Sequence, residues 1–148
     1  MIEFKLVGLD TMAVPVKNLR AIGDPLLTPP WGDRCGRPIA QICIDEVESA
    51  IAKGDISPVH WAKNWSFSRG QHIARIAALV VDPDATPIEV DLGFPGHGYF
   101  PPWPIFDGNH RFCAAIVRCD QFIVANLRGD AEHIEGGLGI VPRIRVVT

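Results

Sequence analysis

No run of 18 apolar residues occurs in this 148-residue chain, and Met1 is not followed by the basic and apolar segments of a signal peptide. Neither a membrane nor a secretory address is expected, and the predicted setting is cytoplasmic. The four cysteines, Cys35, Cys43, Cys113 and Cys119, include no Cys-x-x-Cys pair. On that spacing neither zinc nor a disulfide framework is expected, and reduced thiols are, two of them inside helices with apolar neighbours. Positive charge is also short: 14 Lys and Arg face 17 Asp and Glu, a net charge of −3. A nucleic-acid surface spread over the whole domain would need a basic balance, so none is expected. Repeats, low-complexity tracts and interdomain linkers are missing too, and the length suits a single domain, 1–148, with a sizeable core.

Glycine and proline are abundant, 14 and 13 residues, and predict many loops within a chain that is 47% hydrophobic and 21% charged. Residues 2–9 alternate apolar and charged side chains, as in a half-buried strand. From Asp10 onward there is strand character around Val14 and Val16. Gly23, Pro25, Pro29 and Pro30 then predict a long ordered arm over 10–37 rather than a helix. Pro38 to Lys53 reads as a helix, with Pro38 in its first position, Ile39, Ile42, Cys43, Val47, Ala50 and Ile51 on one stripe, and Gly54 at its end. Ser57-Pro58 opens a short helix through about Asn64, on which Trp61 and Trp65 share a face suited to core packing. The spacing predicts another helix over 68–81, buried through Ile73, Ile76, Ala77 and Val80 and stopped by Pro83. A strand over 88–92, a strand over 122–126, a turn with a short helix over 128–134 and a last strand over 143–147 complete the pattern, with Gly136, Gly137 and Gly139 leading into that last strand. The implied fold is α/β in the broad sense, α+β: a small mixed sheet near Phe4, Val14, Ile88, Phe106, Ile123 and Val146, covered by helices at 38–53, 68–81 and 109–119.

The chemistry gathers at Pro104-Ile105-Phe106-Asp107-Gly108-Asn109-His110-Arg111, which reads as a short strand, a sharp turn and the first turn of an apolar helix. Such a corner aims backbone N–H groups outward at the positive end of a helix. Two potential cations there, each disfavoured by roughly 0.3–1 kcal/mol, point to an expected anion, phosphate above all. The plain alternative keeps Asp107 as a helix cap, Gly108 as a turn glycine, and His110 and Arg111 as solvated side chains. Upstream, residues 93–103 carry His97, Tyr99, Phe100 and Trp103 on a glycine- and proline-rich frame. Tyr99 and Trp103 are candidates to lid a site or stack on a base, and a flap covering the sheet edge is the other reading. A metal held by His97, His110 and Asp107 lacks any ligand spacing.

Asp107-Gly108-Asn109-His110-Arg111 and the helix after it resemble the signature of the ParB/sulfiredoxin superfamily. Its members carry variants of G-x-H-R or G-x-R-R at a nucleotide-phosphate corner. The resemblance runs roughly from Gln71 to Arg128, in the order helix, Pro87-Ile88-Glu89-Val90 strand, corner, helix and closing strand. It implies a ParB/sulfiredoxin-like fold in which Gly108, Asn109, His110 and Arg111 bind a nucleotide or phosphate. Arg69, Gln71, His72 and Arg75 are the residues of the preceding helix that could face the ligand, with a solvated helix face as the default for each. The nucleophilic cysteine of sulfiredoxin falls where Asn109 stands, so its repair chemistry is not expected. The helix-turn-helix and dimerisation domains that follow in ParB partition proteins are not expected within these 148 residues. In letters the corner is close to the D-G-H-H-R of free serine kinases, which need a further acidic residue; Asp24, Asp33 and Glu89 are available and none aligns.

The resemblance therefore implies a nucleotide- or phosphate-binding domain, with phosphotransfer or NTP hydrolysis as the candidate activity and NTP with Mg2+ as the candidate ligand. Asp107 and His110 are the candidate catalytic residues. A nucleotide or phosphorylated small molecule is the expected partner, with a second copy of the chain as a further candidate and no membrane. Two alternatives stand beside this: a non-catalytic accessory protein of phage-like or mobile-element type with a degenerate nucleotide site, or a module that grips a DNA backbone or a phosphorylated partner.

Overall fold

A computed structural model describes residues 11–33, 35–57 and 67–141. The strand expected over 2–9, the short helix carrying Trp61 and Trp65, and the strand over 143–147 lie outside the described residues. Those described form an α+β domain: one mixed four-stranded sheet with five α-helices.

The strands are β1 (Thr11–Pro15), β2 (Ile88–Asp91), β3 (Ile105–Asp107) and β4 (Phe122–Arg128), in the order β1-β4-β2-β3. β4 is antiparallel to β1 and parallel to β2, and β3 is antiparallel to β2. Alternation sets the two faces. Val14, Ile88, Val90, Ile105, Ala125 and Leu127 point into the core, while Phe106, Phe122, Val124 and Arg128 face outward and are exposed. Over the inner face lie α2 (Ile44–Lys53), α3 (Arg69–Val81) and α4 (Asn109–Val117), packed in that sequence side by side, with α4 against β2. Phe112, Cys113, Ala114 and Ala115 of α4 are at most 1% exposed, which makes this the central helix of the core. Among the described residues no helix is long and apolar enough to cross a membrane.

Several elements differ from the sequence expectation. The arm over 10–37 is not free of helix: Val16–Ile22 forms α1, and β1 ahead of it stands at one end of the sheet as described. Val16 and Leu19, three apart, are both buried, and that helical spacing lay hidden between Pro15 and Pro25. The helix predicted over 38–53 begins only at Ile44. Pro38 pairs in a β-bridge with Gly32, and the Ile39 and Ile42 amides donate to the carbonyls of Trp31 and Leu26. Ile39 and Ile42 thus reach the core from extended backbone, because the segment's N–H groups are spent on the arm. The helix starts where Glu46 can accept from the Cys43 amide, at 3.1 Å, and Cys43 stands exposed at its cap instead of inside it. At the far end, α5 (Ala131–Leu138) absorbs Gly136 and Gly137, with Gly139 closing it. Asn18 of α1 donates to the Leu138 carbonyl at 2.8 Å, tying α1 to that end.

Candidate functional site

Strand β3 turns into α4 at one residue. Gly108 has φ of 94°, a left-handed conformation that side-chain-bearing residues avoid. It is also wedged, since a Cβ there would lie 2.5 Å from Ile88 Cγ2. The first amides of α4 have no acceptor within their own helix, as at any helix start. Gly108 supplies no side-chain cap and the first turn holds no acidic residue, so the positive end of the helix is uncompensated by its own sequence.

The motif side chains are drawn into the fold. Arg111 is 14% exposed at its side chain and donates from Nη1 to the carbonyls of Thr86 at 2.7 Å and Pro87 at 3.2 Å, just ahead of β2. Its Nη2 makes, among the described residues, only a long contact, 3.4 Å, to Asp107, whose side chain is 69% exposed. Asn109 accepts from the Trp103 indole N–H at 2.8 Å and donates to the Ile105 carbonyl at 2.9 Å, closing the turn on itself. His110 does not extend into solvent: its Nε2 lies 2.9 Å from His72 Nδ1 of α3, and Trp31 stacks on both rings. His72 is 2% exposed, and its Nε2 is buried without a hydrogen-bond partner. Burial pushes its pKa down to about 4.

The expectation of a solvated helix face therefore fails at His72 and Arg69. Arg69 is clamped by Glu46 and by the Gln41 carbonyl, at 2.5 Å in each case, and this pairing holds the Glu46 carboxyl down at about 2. Sequence reasoning missed Trp31; it named His72 as able to face the ligand, but not as a partner of His110. A signal existed for His72, which lies one helical turn before Ile76 on the buried stripe of α3. None existed for Trp31, since its approach depends on the path of the arm.

The two lid candidates are both tethered. Trp103 packs against the core and bonds to Asn109, whereas Tyr99 is 48% exposed and donates from its hydroxyl to Asp91 at 3.1 Å. Of the acidic candidates, Asp24 and Asp33 cap turns: Asp24 accepts from the Leu26 amide and Asp33 from those of Cys35 and Arg37. Glu89 stands in register with Asp107 across β2 and β3 and accepts from Asn126 at 2.9 Å. A cavity of about 370 Å³ lies elsewhere, between the arm and the start of α2, lined by Asp24, Leu26, Gln41 and Cys43 among others. Among the described residues no group of three His, Cys, Asp or Glu side chains is placed to hold a metal ion.

Comparison with family models, with curated proteins and with solved structures gave no match. The functional reading rests on the corner itself.

Proposed function

We propose that the corner at Asp107 to Arg111 binds the phosphate of a nucleotide or of a phosphorylated small molecule. The observation that supports it is the uncapped, acid-free amino end of α4 with a guanidinium beside it; a Cβ on Gly108 would stand 3.0 Å from Arg111 Nη2. Among the described residues that nitrogen has only the long contact to Asp107, an exposed carboxylate that an incoming phosphate would displace. Asp107 and His110 remain the candidates to act on a bound phosphate ester, although His110 turns towards His72; Glu89 stands opposite Asp107 across β2 and β3. ATP, ADP, CTP and GTP, each with Mg2+, are the probes, with inorganic phosphate beside them. A ligand present at a hundred times its dissociation constant and bound only by the folded chain adds about 2.7 kcal/mol, read as a rise in melting temperature. Asp107→Asn removes the competing carboxylate and enlarges the shift. If no probe protects the wild type or Asp107→Asn, the corner is not a phosphate site.

A second reading, a corner retained for structure alone, is favoured by how fully its side chains are occupied. Arg111 clasps the turn before β2, Asn109 the aromatic loop, and His110 the neighbouring helix. Arg111→Ala strips the Thr86 and Pro87 carbonyls of a charged donor and costs about 2 kcal/mol of stability, measured by urea unfolding. An unchanged unfolding midpoint would refute this structural role. With the phosphate reading, the same variant also loses its ligand-induced shift; with the structural reading there is no shift to lose.

A further inference from the structure

Two imidazoles from different helices meet under one indole. His72 and His110 have their facing nitrogens 2.9 Å apart, ring planes 16° from parallel and centroids 5.2 Å apart. An N–N distance that short rules out one ring lying above the other, so the rings sit edge to edge in nearly one plane. Trp31 covers both, at 4.6 Å from His72 and 4.2 Å from His110, with planes within 15° of each. Phe67 meets His72 edge-on at 5.7 Å.

We propose that Trp31 and the His72–His110 pair form an acid-released clasp, which holds the segment 23–43 against α3 and α4 while one proton bridges the two rings. A buried N–H without an acceptor is costlier than a bare lone pair. The unpartnered Nε2 of His72 therefore carries the lone pair, and its Nδ1–H donates to His110 Nε2. Adding a proton to the pair leaves two choices. Either both facing nitrogens carry hydrogens and the bond is lost, or the added proton sits on His72 Nε2, where the Nδ1–H···Nε2 bond survives but a charged N–H is buried with no acceptor among the described residues. The first form drives the rings apart, and the second is relieved only when His72 Nε2 reaches water; in either case the indole that spans the pair loses its seat. Attraction between the indole face and an imidazolium opposes release, and burial of His72 resists the proton, so release falls on the acid side of the ordinary histidine range.

Among the described residues, the charged and titratable groups of the surrounding elements are Arg69, held by Glu46 of α2, and Arg75 on α3; His110, Arg111 and the buried Cys113 on α4, with Arg118 at its end held by Asp120; and Asp24, paired with Arg20, together with Asp33, Cys35, Arg37 and Cys43 on the segment 23–43. Of these, His110 is the one that bonds to His72. Asp33 caps the arm's own tip, and the amides of Arg37 and Cys35 hold its carboxyl below the usual range, so the tip keeps its shape as the pair charges.

Amide hydrogen exchange on the full chain tests the clasp, with the Ile39 and Ile42 amides, which donate to Trp31 and Leu26, as reporters. Between neutral pH and about pH 4, after correction for intrinsic rates, the wild type loses about tenfold of its protection there while the amides of α4 stay protected. His72→Asn keeps an amide at the Nδ1 position and removes the buried nitrogen that takes up the proton. This variant, folded, holds its protection at both pH values. The proposal is overturned if the wild-type reporters keep their protection in acid, if they open only together with α4, or if His72→Asn loses protection as the wild type does.

Discussion

Gly108→Ala lowers the stability of the folded chain by about 3 kcal/mol. Part of the loss is conformational, because φ of 94° is a region that alanine enters only under strain. The rest is steric: the new methyl group would stand 2.5 Å from Ile88 Cγ2 and 2.8 Å from Ile88 Cβ, and Ile88 is a core residue with no exposed surface in which to recoil. For a chain of this length the loss is a fall of roughly 10 °C in melting temperature. Gly136→Ala is the internal control. That glycine lies within α5, is exposed and has open space around a would-be Cβ, so alanine there raises stability by about 0.5–1 kcal/mol. Equal effects at the two positions would mean that the corner does not depend on the left-handed turn.

Acidification is the second large effect. His72 has a pKa of about 4 in the folded chain, against about 6.5 when unfolded, because burial penalises its charged form. The unfolded state therefore takes up the proton first. The stabilising contribution is complete above about pH 6.5, declines as the pH falls towards 4, and is gone below that; its full size is about 3 kcal/mol. Urea unfolding between pH 7 and pH 4 reads this slope. His72→Asn flattens the part above about pH 4.5, the ordinary carboxylate range beginning below that. A wild-type curve with no slope in this window would show that His72 is not held neutral. The Glu46–Arg69 pair acts in a separate window: Glu46 titrates at about 2, so its contribution is lost only in stronger acid, and at about one-third exposure for both partners it is small.

How much of this could be read in the chain depended on how local each cause was. The helix over 69–81 was legible because its stop at Pro83 and its apolar stripe lie within itself, and the Ser68 cap, accepting from the Gln71 amide, comes three residues before its partner. The turn at Gly108 was legible because a left-handed residue between Asp107 and Asn109 is a matter of a few neighbouring torsions. By contrast, α1 was missed because Gly23, Pro25, Pro29 and Pro30 outweighed a single pair of apolar residues, Val16 and Leu19. The start of α2 was misplaced by six residues because Ile39 and Ile42 keep helical spacing while their amides bond to the arm. At the corner, sequence reasoning named His110 and Arg111 as potential cations awaiting an anion. It could not find their partners, since Thr86 lies 25 positions from Arg111 and His72 lies 38 from His110.

By itself, then, the sequence determined the α+β character of the described part, the strand–glycine–helix corner and the burial of Phe112 to Val117, all of which follow from local periodicity and the torsional freedom of single residues. Tertiary structure alone decided what the corner's side chains do. The orientation of Arg111 towards two backbone carbonyls, and the meeting of Trp31, His72 and His110, arise because distant segments pack on one core and must satisfy their polar groups with whatever that packing brings near.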